Sequence, residues 1–291
     1  MRLYIIANYE KPQVKPALDE MLPWLNQRVE VVGVDSQSKG DLSDIQADVV
    51  LVMGGDGTLL SAARRLNGRQ IPLMGINFGK LGFLSSFTQH DFPRHFEALL
   101  RNELPIRPRI MLEASVIPAG IDCRLMDPEQ VAQHRRFVSM ALNDAVITAG
   151  PPFHMIELVL SADGQTSVRY YGDGVIIATP SGSTAYNVSA GGPILSPGVQ
   201  GFCITPICPH SLSFRPVVVA ASSTVLITAD GVNEGTTLFC DGQTSTKLNA
   251  GDRVVVRRGS HDVLLVENPD IHGWRTLAEK LHWAIGPRYN I

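Results

Sequence analysis

Gly54-Gly55-Asp56-Gly57-Thr58 contains the residue types that can manage a phosphate, set between an apolar run read as a buried strand and a helical pattern. Glycines there let backbone amides approach a ligand closely, and a helix N-terminus adds partial positive charge. The stretch lacks the Gly-Lys-Ser/Thr ending of a Walker loop, and its glycine spacing is not that of the dinucleotide GxGxxG. Asp56 sets it apart. A carboxylate in a phosphate turn repels its ligand unless it takes a proton from a hydroxyl or holds a divalent metal. The same five residues also read as a glycine-rich turn with Asp56 capping the helix, and the pentapeptide alone leaves both readings open.

Other polar clusters carry the same ambiguity. Gly172-Asp173-Gly174 precedes an apolar strand and then Thr179-Pro180-Ser181-Gly182-Ser183-Thr184-Ala185-Tyr186-Asn187, whose hydroxyls at a helix entrance suit ribose or phosphate. They equally suit a capped helix followed by a Gly191-Gly192-Pro193 turn. Asn143-Asp144 interrupts a strand pattern, where buried polar residues need partners, and could be a plain turn. Asp241-Gly242-Gln243 divides the same way.

The elements that must position these residues fall into two textures. Strand-like runs at Leu3–Ala7, Val29–Val34, Asp48–Met53 and Ile71–Ile76 alternate with helical spacing over Pro16–Asn26, Ser61–Leu66 and Asp91–Arg101, which predicts a parallel sheet with covering helices. After Pro105 and Pro108 come β-branched runs at Ile110–Ile117, Phe137–Val146, Met155–Leu160, Val175–Ala178, Val217–Ala220 and Val254–Val256, which predict a β-rich domain. Asp163-Gly164 is a hairpin signal. Helical spacing returns at Trp274–Trp283.

Composition narrows the classes. A chain of 291 residues exceeds a disulfide-held scaffold and suits two domains at about 150 residues each. With 25 basic and 28 acidic residues the net charge is −3, and no dense basic run marks a nucleic-acid partner. No apolar run nears the roughly 20 residues that span a bilayer, so neither membrane nor secretion is expected and the protein reads as cytoplasmic. Cys123, Cys203, Cys208 and Cys240 lack metal-ligand spacing and read as structural.

In this order and spacing, Gly54–Thr58, Asn143-Asp144, Gly172–Gly174, Thr179–Asn187, Gly191–Pro193 and Asp241–Gln243 resemble the NAD kinase family over nearly the whole chain. The first motif is shared with lipid kinases and resembles the phosphofructokinase loop; the Thr179–Asn187 stretch is far more specific. The resemblance implies an α/β N-terminal domain with a parallel sheet, over 1–100 plus 273–291, and a β-sandwich C-terminal domain over 101–272. It also implies phosphoryl transfer from ATP or polyphosphate to the 2′-hydroxyl of the adenosine ribose of NAD, with a divalent ion, magnesium. Asp56 matches the proton acceptor, and Gly54, Gly55, Gly57 and Thr58 the donor-phosphate turn. NAD contacts are implied for Asp56, Gly57, Asn143, Asp144, His154, Asp173, Thr184, Ala185, Tyr186, Asn187, Ser189 and Gln243, some of them shared with a second subunit of a homodimer or homotetramer. Tyr171 replaces an Arg found in some bacterial members, and Gly242 replaces a common Ser. A lipid kinase would need an apolar entrance, and a non-catalytic NAD sensor would have no need of Asp56.

Overall fold

The computed structural model describes residues 1–37, 39–79, 82–123, 126–271 and 273–281. The chain forms two compact units, Met1–Pro108 together with the chain from Leu264 on, and Arg109–Val263.

The first unit begins β1 (Arg2–Ala7), α1 (Val14–Asn26), β2 (Glu30–Asp35), β3 (Val49–Gly54), α2 (Asp56–Arg65), β4 (Leu73–Asn77), β5 (Phe87–Thr88), α3 (Phe92–Leu100) and β6 (Ile106–Arg109). Every residue of β3 and β4 is buried, as strands covered on both faces must be. Helix α1 turns Val14, Ala17, Leu18, Met21 and Leu25 inward, and α3 turns Phe92, Phe96 and Leu99, the spacing of one helical face. The sheet runs β2-β1-β3-β4, with all three of these pairings parallel. Because β2 lies on one side of β1 and β3 on the other, the C-terminal ends of β1 and β3 flank a topological switch point, where open α/β sheets bind ligands.

The second unit contains β7 (Leu112–Ile117), α4 (Pro128–His134), β8 (Phe137–Ala141), β9 (Asp144–Thr148), β10 (Ile156–Ala162), β11 (Val168–Gly172), β12 (Gly174–Ala178), α5 (Tyr186–Ser189), β13 (Gly201–Ile207), β14 (Val217–Ala220), β15 (Val225–Gly231), β16 (Thr237–Cys240), β17 (Thr244–Lys247) and β18 (Arg253–Arg258). One antiparallel sheet has the order β11-β10-β15-β18-β7-β8 and the other β14-β13-β12-β9-β16-β17. Alternate residues of both, such as Leu112, Ala114 and Val116 with Ala145, Ile147, Val175 and Ile177, form one core.

The run expected over Phe137–Val146 is two strands rather than one. The chain leaves β8 after Ala141 and enters β9 at Asp144, passing from one sheet to the other at Leu142-Asn143. Asp163 and Gly164 both take positive φ, +52° and +69°, at the β10–β11 turn. Finally β19 (Val263–Val266) enters the first sheet between β4 and β6, and α6 (Gly273–Leu281) follows. Trp283, the expected end of that helix, lies outside the described residues. Among the described residues no helix is long and apolar enough to cross a membrane, and no disulfide joins Cys123, Cys203, Cys208 or Cys240.

Candidate active site

In the first unit the glycine turn leaves the C-terminal end of β3 and α2 starts at Asp56. Gly54 is required by packing, since a Cβ there would lie 2.3 Å from Thr58 Oγ1. The Gly54 carbonyl accepts from Phe78 N at 2.9 Å and from Lys11 Nζ at 2.9 Å. A Cβ on Gly55 would stand 2.6 Å from that same ammonium, so the bare glycine leaves the place Lys11 occupies. Asn8, just beyond β1, donates from Nδ2 to Thr58 Oγ1 at 3.3 Å. Both residues come from the neighbouring strand's end, and the sequence reading missed them. The signal was there: polar residues directly after the apolar β1 lie at the carboxyl edge of a parallel sheet.

Asp56 is not the helix cap. Gly55 holds that position, and the Asp56 carboxylate turns to the loop after β4, where Oδ2 accepts from Phe83 N at 2.8 Å and Oδ1 from Ser85 N at 2.9 Å and Leu84 N at 3.4 Å. Gly82 makes this approach possible, because a Cβ there would fall 1.8 Å from Asp56 Oδ1. Gly57 is the second residue of α2. Lys280 of α6 stands 4.6 Å from the Phe83 ring centre, and burial lowers its ammonium pKa while Asp56 opposes that shift.

In the second unit, the Asn143-Asp144 pair occupies the sheet-to-sheet crossing. Asn143 N donates to Asp241 Oδ1 at 2.7 Å and its carbonyl accepts from Thr179 N at 2.9 Å. The Asn143 Oδ1 atom is buried with no partner among the described residues, so a donor from a ligand would relieve it. Asp144 is 6% exposed, and burial first, then the Asp241 carboxylate, pushes its pKa up to about 7. Asp173 follows β11; its N donates to the Ile207 carbonyl at 3.0 Å, and its carboxylate raises the pKa of the exposed Cys208 thiol by hydrogen bonding.

The Thr179–Asn187 hydroxyls largely serve the fold. Thr179 Oγ1 donates to the Leu142 carbonyl at 2.5 Å, Ser183 Oγ to the Pro180 carbonyl at 2.7 Å, and Thr184 Oγ1 to the Ser181 carbonyl at 3.3 Å. Asn187 is fully buried; its Nδ2 donates to the Ser183 and Pro193 carbonyls and its Oδ1 accepts from Thr205 Oγ1 at 2.6 Å, so its side chain ties the segment together. Tyr186 is 46% exposed, Ser189 is exposed, and Thr184 and Ala185 are half-buried. His154 and Gln243 are exposed. Asp56 and the glycine turn thus belong to the first unit, and Asn143 to Gln243 to the second.

Family models match both units: an ATP-NAD kinase N-terminal domain over residues 41–104 and an ATP-NAD kinase C-terminal domain over 142–268. Among similar proteins, an NAD kinase of Rhodopirellula baltica is 38% identical over 97% of this chain and 87% of its own length. An NAD kinase of Solibacter usitatus is 37% identical over 96% of both chains. A crystal structure of yeast NADH kinase complexed with NADH matches with a TM-score of 0.87 at 25% identity, over 100% of this chain and 90% of that one. An Archaeoglobus fulgidus NAD kinase in complex with ATP matches in fold with a TM-score of 0.72 at 24% identity, over 98% and 100%.

Proposed function

The chain belongs to the NAD kinase family and phosphorylates NAD to NADP with ATP, and on that premise we propose how its residues divide the work. Asp56 accepts the proton of the 2′-hydroxyl on the adenosine ribose as that oxygen bonds to the donor's terminal phosphorus. The bond from that phosphorus to the leaving phosphate breaks as this happens. The observation that carries this role is the grip of three successive amides on Asp56 beside the glycine turn. A carboxylate so oriented needs no rearrangement to meet the hydroxyl.

The turn Gly54, Gly55, Gly57 and Thr58 holds the donor phosphates at the start of α2, and the Lys11 ammonium beside Gly55 offsets their charge. A divalent ion, magnesium, would supply charge neutralisation of the transferring group when bound. Among the described residues no group of three or more His, Cys, Asp or Glu forms a protein cage. The donor phosphates themselves would supply most of the ion's oxygen ligands. Polyphosphate would satisfy the same turn, since these residues read phosphate and not a base.

In the second unit Asn143 and Asp144 read the adenine and ribose of NAD, with His154, Asp173, Thr184, Ala185, Tyr186, Ser189 and Gln243 as further contacts and Asn187 supporting them from the core. The unpartnered Asn143 Oδ1 supports this reading. The enzyme acts in the cytoplasm as a homodimer or homotetramer; the exposed apolar side chains Phe153, Met155 and Leu212 support self-association, and light scattering in solution gives the count.

Paired kinetics test the division. Asn143→Ala should raise KM for NAD by the equivalent of about 1–3 kcal/mol with little change in KM for ATP. Lys11→Met should do the reverse, raising KM for ATP and sparing that for NAD. Equal shifts in both constants for either variant would contradict the assignment.

A further inference from the structure

Asp241 sits in a left-handed backbone position, φ +53°, between β16 and β17, and is 9% exposed. From there its two carboxylate oxygens turn to the sheet-to-sheet crossing. Oδ2 accepts from Leu142 N at 3.0 Å, and Oδ1 accepts from Asn143 N at 2.7 Å and Asp144 N at 3.2 Å. Its own N donates to the Asp144 carbonyl at 2.9 Å. From the other side Thr179 holds the Leu142 and Asn143 carbonyls, and Gly182 lets the Asn143 carbonyl in, since a Cβ there would lie 2.0 Å away.

One carboxylate therefore satisfies three consecutive amides across the passage from one sheet to the next, from Leu142 to Asp144 at the start of β9. Such amides need acceptors when water is excluded. The residue type matters: a carboxylate only accepts, whereas an amide side chain would present a donor to one of the three N–H groups. A buried acid also has a cost that a plain turn would avoid, since Asp241 acts on the carboxyl of Asp144 as a like charge.

We propose that Asp241 is a positioning residue for NAD recognition, fixing the main chain of Leu142–Asp144 so that the Asn143 and Asp144 side chains meet the nucleotide in one geometry. The inference rests on the reading above that Asn143 and Asp144 contact NAD. Asp241 lies in the second unit and the donor-phosphate turn in the first.

The test is steady-state kinetics of Asp241→Asn in the full-length enzyme across pH, with Asn143→Ala and Asp144→Ala in parallel. Asp241→Asn should raise KM for NAD by about tenfold or more, leaving KM for ATP nearly unchanged and kcat less affected. The facing groups on Asp144 are Ala178 of β12, which is uncharged, and Asp241. In the wild type the pH dependence of KM for NAD should therefore show a midpoint near the Asp144 value of about 7. In Asp241→Asn that midpoint should move to lower pH, because a neighbouring negative charge is gone, and the rise in KM for NAD should persist at pH values where Asp144 has one protonation state in both proteins; a tie that only stabilises the fold would leave KM for NAD unchanged there. If Asp241→Asn fails to fold, Thr179→Val removes the opposing bond to the Leu142 carbonyl, and it should raise KM for NAD by the same mechanism. An unchanged KM for NAD in folded Asp241→Asn, or in Thr179→Val, overturns the inference alone when Asn143→Ala and Asp144→Ala do raise that constant. Unchanged KM for NAD in Asn143→Ala and Asp144→Ala overturns the contact reading and this inference with it.

Discussion

Asp56 and Asp144 are both proposed to act on substrate, yet their surroundings differ in kind. Asp56 is half-buried and held by amides, with Gly82 clearing the space. Gly82→Ala should force that carboxylate aside; a misplacement of about 1 Å costs on the order of 10²-fold in rate, so kcat should fall while KM for NAD changes little. Retention of wild-type kcat would show that the orientation of Asp56 does not matter. Asp144 has few compensating bonds and a pKa raised to about 7. A carboxyl whose folded pKa is raised binds more protons folded than unfolded between the two values, so its contribution to stability falls as pH rises from about 4 to about 7. Asp144→Asn should thus raise Tm relative to wild type at pH 8 and much less at pH 4, even as it weakens NAD binding. Parallel Tm curves for the two proteins across this range would contradict the burial argument. Asp35 shows the opposite outcome for an acid at a strand end: it lies at the end of β2, but its carboxylate is taken by Arg65 at 2.7 Å and by Gly40 N at 3.0 Å, so it ties the fold together.

Elements decide which of these residues meet. The glycine turn and its strand and helix were legible because apolar run, glycines and helical spacing follow one another in sequence. The grip on Asp56 was not, because its donors come from residues 83–85, almost thirty positions away, and nothing local pairs them. The Asn143-Asp144 break was visible as polar residues in an apolar run, but a run that continues in period two through both sheets hides the change of sheet. Helix α4 went unread although Asp127 and Gln130 form a capping box with Pro128 between them, a signal only three residues long. The family resemblance implied that the segment from residue 273 rejoins the first domain; the chain already enters the first sheet at β19, which lies in no run read from the sequence. Asn268 already anchors that return, donating from N and Nδ2 to Ser86 at 3.1 and 3.2 Å, and Thr276 of α6 is buried. Cutting after Asn268 should remove α6 and lower both Tm and soluble yield, because the buried Thr276 and the Lys280–Phe83 contact are lost. A truncated protein with unchanged melting and activity would make α6 an appendage.

At the scale of the molecule, the proposed roles put a phosphate turn in one unit and a nucleotide-reading crossing in the other, so that a transferase would meet its two substrates by separate means. The first relies on backbone amides, a helix start and a lysine, and the second on buried polar side chains that a sandwich core excludes from water. On this proposal the chemistry falls to Asp56. The most direct measurement is therefore NADP formation by Asp56→Asn with NAD, ATP and graded magnesium, alongside NAD binding by calorimetry. The account predicts a turnover lower by about 10²-fold to 10⁴-fold at every magnesium concentration, with NAD affinity nearly unchanged. Wild-type turnover would remove Asp56 from proton transfer, and recovery at high magnesium would make it a metal anchor instead.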